Sequence, residues 1–150
     1  AISITDEDLH IHSLALGDLD SDGDLDAFVT LANRDPHQVW INDGQAGFTA
    51  EQNLQALLGH AVALGDLDGD GDLDAVTGHG NQGRGYIRLW LNDGNAAFSE
   101  SSSMLGDHFT TAVVLGDLDQ DRDLDIVSAQ SAWGEEIGPP DLIWINMAQY

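Results

Sequence analysis

A nine-residue acidic segment occurs three times in this chain and constrains its fold more than any other feature. The first copy, Asp18 to Asp26, reads DLDSDGDLD, and the others lie at residues 66–74 and 117–125. Each copy holds five aspartates, which repel one another at neutral pH unless a cation lies among them. Calcium binds about six to eight oxygen ligands, and a tight loop with side chains at positions 1, 3, 5 and 9 and a carbonyl at position 7 supplies most of them. The segments therefore predict three calcium sites per chain.

Charge and composition narrow the classes of function. The 150 residues include 27 acidic side chains, four arginines, no lysine and no cysteine, and the formal net charge is −23. Without a basic patch, neither a nucleic acid nor an anionic membrane surface is an expected partner. The apolar runs are too short to cross a membrane, and the first residues (AISI) do not read as a signal peptide.

A longer repeat of about 50 residues surrounds each acidic segment. Short apolar runs, which read as strands A and B, precede and follow the segment, and a third strand C carries Trp40, Trp90 or Trp144. In two units an Asn-Asp-Gly turn then leads to Phe48 or Phe98, at the head of a more polar strand D. Four short antiparallel strands in such a unit are typical of a β-propeller blade.

The ends of the chain are permuted relative to these units. Residues 1–9 align with a strand D, whereas the chain stops where the strand D of the last unit would begin. We predict an all-β half-propeller with blades at 10–53, 54–103 and 104–150, the third lacking its own strand D. Closed propellers have about 4–8 blades, so we expect two chains to exchange their N-terminal strands in a six-bladed homodimeric ring. The alternative is half of a longer natural chain.

Together these motifs resemble those of a known family. The pattern LGDLDxDGDLD, the tryptophan strand and NDGxxxF are similar to the FG-GAP or VCBS repeats of integrin-α-like β-propellers, over essentially the whole chain. An EF-hand is excluded because it needs a glutamate at position 12, where Val29, Thr77 and Ser128 stand. The resemblance implies an extracellular or cell-surface module, with the A–B loops on one face and the B–C and D–A loops on the opposite, ligand-facing one.

The resemblance also implies the ligands of each calcium ion. Leu19, Leu25 and their repeats are expected to point inward and anchor the loops. Closed carboxylate loops leave no open position, which favours a structural over a catalytic ion. In each copy the ligands would be four aspartate side chains and the carbonyl of the seventh residue: Asp18, Asp20, Asp22, Asp24 and Asp26; Asp66, Asp68, Asp70, Asp72 and Asp74; and Asp117, Asp119, Asp121, Asp123 and Asp125.

The third loop departs from the pattern at its sixth position. Arg122 stands where the other copies have Gly23 and Gly71. A side chain at the positive φ expected there costs on the order of 1 kcal/mol, and the arginine cation lies beside the ligands. The third site is therefore predicted to be the weakest.

Two sets of recurring side chains have structural interpretations. His12 and His60 each lie six residues before the first aspartate of a segment, and we interpret them as packed or hydrogen-bonded strand residues rather than ligands of a transition metal. The three tryptophans in register are interpreted as core between blades.

The variable B–C loops, predicted at residues 32–37, 78–88 and 130–141, are the candidate ligand surface. Trp133 is the one tryptophan outside the repeat register, and it suits stacking on a sugar or gripping a peptide, although packing under its own loop explains it equally well. The candidate binding residues are Arg34, His37, His79, Arg84, Tyr86 and Trp133.

The function predicted from these features is recognition of a protein or glycan, not catalysis, because no catalytic motif is present. A purely structural, self-assembling half-propeller and a non-catalytic fragment of a larger propeller enzyme are the alternatives.

Overall fold

The computed structural model describes residues 9–32, 35–81, 84–131 and 142–144. Every regular element in these ranges is a β-strand, and none of them is a helix that could span a membrane. The strands are β1 (Ile11–Gly17), β2 (Asp26–Leu31), β3 (Pro36–Asn42), β4 (Phe48–Ala56), β5 (Gly59–Gly65), β6 (Asp74–Asn81), β7 (Arg84–Asn92), β8 (Phe98–Leu105), β9 (Phe109–Gly116), β10 (Asp125–Ser131) and β11 (Leu142–Trp144).

These strands form three antiparallel sheets in which neighbours along the chain are neighbours in space. The orders are β1-β2-β3-β4, β5-β6-β7-β8 and β9-β10-β11. Two complete four-stranded units and a third with three strands in the described ranges confirm the all-β fold and its propeller-like blades. Each acidic segment connects the first two strands of its sheet. Because the strands are antiparallel, the A–B and C–D connections lie at one end of the blades and the B–C and D–A connections at the other.

The strands extend further than the sequence pattern predicts, so the B–C loops are shorter. β6 continues to Asn81 and β7 begins at Arg84, which contradicts the predicted loop over 78–88. His37 likewise lies in β3. Glycines lower the strand propensity of this stretch, but close packing requires one of them: a Cβ on Gly85 would collide with the carbonyl oxygens of His79 and His108.

The hydrophobic core lies between the sheets rather than within them. Between the first two sheets, Phe28 and Val39 pack against Trp90 and Phe98. Between the second and third sheets, Ile87 and its neighbours pack against β9, β10 and Trp144. Trp90 and Trp144 therefore occupy the predicted position between blades, whereas Trp40 packs on the outer side of the first sheet with Ala27, Val29 and Leu31.

The prediction that all loop leucines point inward is wrong for two of them. Leu19 and Leu67 are buried, but Leu25 is 56% exposed and Leu118 is 50% exposed. The reason is tertiary, since these leucines pack on a neighbouring blade. The described residues place no blade against the outer side of the first sheet or of the third.

The predicted domain ends lie largely outside the described residues. This applies to residues 1–8 of the predicted exchanged strand, to most of residues 132–150, and to Arg34 and Trp133. Leu9 packs against the outer cluster of the first blade. β4 ends at Ala56, beyond the predicted boundary at residue 53.

Candidate functional site

The first aspartate of each acidic segment organises its loop through backbone hydrogen bonds. Asp18 accepts the N–H of Asp22 at Oδ1 and the N–H of Gly23 at Oδ2, both at 3.1 Å. Asp66 accepts the N–H of Gly69, at the fourth rather than the fifth position, at Oδ1 and the N–H of Gly71 at Oδ2, at 2.8 and 3.1 Å. The third copy repeats the pattern with Asp117, Gln120 and Arg122. The loop is thus wound around its first carboxylate.

This winding requires positive φ at two positions, of which sequence reasoning found one. At the sixth position Gly23 and Gly71 have φ of 96° and 97°, and Arg122 has 82°. The fourth position is also left-handed, with φ of 62° at Ser21 and 69° at Gln120. Glycine adopts this conformation without strain, whereas other residues do so at a cost.

The aspartate at the ninth position of each segment is buried and holds the loop in place through backbone hydrogen bonds. Asp74 accepts the N–H of Leu67 at Oδ2 (2.9 Å) and the N–H of Asn92 at Oδ1 (2.8 Å). Asp26 makes the equivalent two bonds, and Asp125 accepts the N–H of Leu118. All three side chains are fully buried. This carboxylate therefore ties the start of the loop to the strand that follows it and, in the first two blades, to strand C.

Three groups of carboxylates are close enough to share a cation. In each group, one ligand atom per residue lies within 4.8 Å of the others: Asp18, Asp20 and Asp22; Asp66, Asp68 and Asp70; and Asp117, Asp119 and Asp125. The first two groups use positions 1, 3 and 5, and the third uses positions 1, 3 and 9. The remaining predicted ligands lie in the same loops.

The chemistry of these groups fits calcium. Carboxylate oxygens are hard ligands of the kind this ion prefers. Desolvation first, and then the neighbouring carboxylate of Asp26, raises the pKa of Asp20. Desolvation and Asp121 raise the pKa of Asp119 in the same way. A bound cation would reverse this repulsion, so the loops would be more stable with the ion than without it.

The acidic loops contact the C–D turns and the next blade. The carboxylates of Asp24 and Asp72 occupy the space that a side chain would need at Gly44 and Gly94, which explains the glycine in each Asn-Asp-Gly turn. These turns, whose glycines have φ of 72° and 78°, are five-residue connections.

The asparagine of the Asn-Asp-Gly turn has a second role, which the sequence pattern did not predict. Asn92 Nδ2 donates to the carbonyl of Leu19 in the preceding blade (2.9 Å) and to that of Leu73 (3.2 Å). The N–H of Ala96 donates to the same Leu19 carbonyl at 2.9 Å. The recurrence of this asparagine at the end of the tryptophan strands is the sequence feature from which a recurring contact in each repeat could have been predicted. The first acidic loop is therefore fastened to the second blade.

A cleft of about 550 Å³ lies at the opposite end of the second blade. It unites residues of the B–C connection with residues of two D–A connections, as the resemblance implies. It brings together three of the predicted binding residues, His79, Arg84 and Tyr86. The lining residues are Leu57, Leu58, His79, Gly80, Asn81, Arg84, Gly85, Tyr86, Met104, Gly106 and Asp107.

A column of stacked side chains leads from the core into this cleft. The ring of His37, which is fully buried, stacks on His79 with 5.1 Å between centroids, and His79 lies 5.2 Å from Tyr86. The guanidinium of Arg88 lies 5.2 Å from the Tyr86 ring and pairs with Glu100. His37 is thus a support behind the cleft, while Arg84 is exposed at its rim.

His12 and His60 are hydrogen-bonded strand residues, as predicted. Their Nδ1 atoms are 3.0 Å apart, His12 Nδ1 is also 3.0 Å from the carbonyl of Gly59, and His60 Nε2 is 3.0 Å from that of Gly80.

Comparison with known proteins agrees with the repeat pattern. The family model described as an FG-GAP-like repeat matches twice, at residues 18–77 and 66–128, which together span well over half of the chain. Each match runs from one acidic segment to the strand beyond the next. No curated protein matches the chain in sequence. The chain therefore belongs to the family of FG-GAP-like repeat proteins.

Proposed function

We propose that this chain is a calcium-stabilised β-propeller module that acts outside the cell by binding a protein or a glycan through the cleft beside Tyr86. The observation that supports this most is the separation of the two ends of the blades. Acidic loops occupy one end, and the cleft with Arg84 and Tyr86 occupies the other. FG-GAP-like repeats are typical of extracellular interaction modules, which supports the same interpretation.

Calcium would act in this module as a structural ion. In the first loop, Asp18, Asp20 and Asp22 would hold it, with Asp26 and the carbonyl of Asp24 completing the predicted set. The ion supplies positive charge where the carboxylates repel one another. Because Asp26 and Asn92 fix the same loop to strand C and to the next blade, ordering the loop also orders the contact between blades.

The cleft suits a polar ligand with a flat face. Tyr86 offers a half-buried aromatic ring for stacking, and the ring is held from behind by His79. Arg84 and Asn81 are exposed donors beside it. An aromatic face next to fixed polar groups is the chemistry that recognises a sugar ring or the side chains of a peptide.

A glycan array and a panel of extracellular-matrix proteins, both probed with the chain in calcium, test this proposal. We expect a ligand whose binding falls at least tenfold in Arg84→Ala and in Tyr86→Ala. Arg122→Gly, assayed at saturating calcium, is the matched control, because it removes one positive charge at the opposite end of the blades. Trp133→Ala tests the predicted aromatic residue outside the described ranges. Binding that survives both cleft substitutions would contradict the proposal.

The second candidate function is a purely structural module whose role is self-association. It is favoured by the exposed leucines on the outer sides of the first and third blades. In this case both screens would show no binding. A fragment of a larger propeller enzyme is the third candidate, and a turnover assay on the complete natural protein addresses it.

A further inference from the structure

Neighbouring blades in this chain are joined by a repeated contact between a glycine and two leucines. The glycine ends strand A of one blade, and the leucines come from strand A and the acidic loop of the next. A Cβ built on Gly17 would lie 3.1 Å from Leu64 Cδ1 and 2.6 Å from Leu73 Cδ1, so the absence of a side chain admits both leucines. The second and third blades repeat this contact with Gly65, Leu115 and Leu124.

The two ends of the described chain carry the unpaired halves of this contact. Gly116 has the position of Gly17 and Gly65 in the third blade, and a Cβ built on it would have no described atom within 4 Å. In the first blade, Leu16 and Leu25 have the positions of the two inserted leucines, and they are 55% and 56% exposed. One end therefore has an unfilled site at Gly116, called the socket below, and the other end has the two leucines that would fill it.

The hydrogen bonds between the first two blades also involve residues whose equivalents lie at the two ends of the described chain. Between the first two blades, the Leu19 carbonyl accepts two hydrogen bonds, from the N–H of Ala96 and from Asn92 Nδ2, and Ala96 is 2% exposed. Leu118 has the position of Leu19 in the third blade and is half exposed. Asn42 and Ala46 have the positions of Asn92 and Ala96 in the first blade, and Ala46 is exposed.

We propose that two copies of this chain associate head to tail, with Leu16 and Leu25 of one copy packed on Gly116 and Leu118 of the other. The contact would continue the two interfaces already present within the chain. Asn42 Nδ2 and the N–H of Ala46 would then donate to the Leu118 carbonyl of the second copy. The proposal does not depend on the ligand of the cleft.

Geometry and charge both favour a closed pair. Two chains of three blades give a six-bladed ring, which lies within the usual range of about 4–8 blades. A head-to-tail contact that closes pairs both unfilled faces at once. The contact residues are uncharged, although each copy carries −23, and calcium in the adjacent loops would lower the repulsion between copies.

Mass measurement by light scattering, on the full chain in calcium, tests the pairing. We expect about twice the chain mass of 16.0 kDa. Leu25→Glu removes an inserted leucine and Gly116→Leu fills the socket, so each should halve the mass. Leu25 is 56% exposed and a Cβ at Gly116 would meet no described atom within 4 Å, so folding should persist, as circular dichroism would verify. Ser102→Glu is the control, since it adds the same charge at an exposed position of β8 in the middle blade.

Mixing the two variants tests the head-to-tail arrangement. The Leu25→Glu chain keeps an intact socket and the Gly116→Leu chain keeps intact leucines, so a mixture should recover one of the two contacts and form mixed pairs. We expect such pairs by native mass spectrometry with isotope labelling. A monomeric wild-type chain, an open polymer, or a dimer that resists both substitutions would each overturn the proposal.

Discussion

The three acidic loops differ in backbone strain, because they have different residues at the positions where φ is positive. All three loops have positive φ at the sixth position, and copies one and three also place Ser21 and Gln120 in this region. The second loop has glycine at both positions, the first at one and the third at neither. Since glycine alone enters this region freely, the second loop should be the least strained and the third the most.

Substituting Arg122 by glycine should tighten the third calcium site about fivefold, from relief of about 1 kcal/mol of backbone strain. The free-energy cost of a side chain at this position arises from the backbone conformation rather than from steric crowding, because a Cβ at Gly23 or Gly71 would meet no described atom within 4 Å. Calorimetric titration with calcium measures the change. Arg84→Gly, which removes the same charge far from the loop, should leave the site unaltered. A third site as tight as the others before substitution would contradict this account.

Asp74 and Asp70 lie four residues apart, but substituting each of them by alanine should lower the stability of the chain for a different reason. Asp74 is buried and accepts two backbone N–H groups, so Asp74→Ala removes two buried hydrogen bonds. We expect a loss of about 3 kcal/mol in the free energy of unfolding, with or without calcium. Asp70 is exposed, and Asp70→Ala should lower stability only when calcium is present. Urea denaturation with and without a chelator separates the two, and a loss for Asp74→Ala that disappears in the chelator would refute the bracing role of Asp74.

Between elements, the stacked histidines join β3 of the first blade to β6 of the second. His37 Nδ1 accepts the N–H of Leu31 at 3.3 Å, and His79 Nε2 lies 2.7 Å from the hydroxyl of Thr77, which accepts the indole N–H of Trp90. Burial lowers the pKa of His37 to about 4. Burial first, and then the charges of His37 and Arg88, lowers the pKa of His79 to about 3. The interface therefore requires neutral imidazoles.

Stability should accordingly fall in acid. The unfolded chain takes up protons at these histidines below pH 6.5, whereas the folded chain does so only near pH 4 and 3. The contribution of the two neutral histidines to the free energy of unfolding is complete above about pH 6.5. It declines as the pH falls towards 4, by up to about 1.4 kcal/mol per pH unit for each histidine. Unfolding at saturating calcium between pH 7 and 5 measures the decline.

Histidine-detected NMR identifies the groups responsible. His37 and His79 should remain neutral at pH 5, and His10→Gln, at an exposed position, should leave the decline in stability unchanged. Titration of either buried ring near pH 6.5 would contradict this explanation.

For the whole molecule, stability depends on contacts between blades that no single blade can make. Phe28 is fully buried, and Phe98 of the second blade packs edge-on against it, with 5.2 Å between ring centroids. Gln52 of β4 exchanges two hydrogen bonds with the backbone of Phe98, both at 2.8 Å. A repeat protein of this kind gains its core by stacking units.

Removal of calcium should therefore lower the melting temperature of the whole module. Each site occupied at about 100 times its dissociation constant contributes roughly 2.7 kcal/mol. Calorimetry with excess chelator should show a large decrease that added calcium reverses, and magnesium should restore less because it prefers a smaller, octahedral site. A melting curve that is indifferent to the chelator would disprove the metal sites.

Features that depend only on nearby residues could be predicted from the sequence. The order of strands, the hairpins at Phe48 and Phe98, and the loop turning at Gly23 and Gly71 all follow from residues within one repeat. The periodic aspartates likewise predicted the three groups of close carboxylates, because the spacing of ligands along a tight loop is a local property.

The contacts of each repeated residue, in contrast, depend on how the blades pack together. Leu19 and Leu118 have the same place in the motif, yet one is buried and the other half exposed. The difference arises because the Leu19 carbonyl meets Asn92, 73 residues away, whereas the described residues place no blade beyond Leu118. The cleft at Tyr86 depends on distant parts of the chain for the same reason. Burial depends on neighbours in space, and a repeating sequence does not reveal which copy of the repeat packs against another blade.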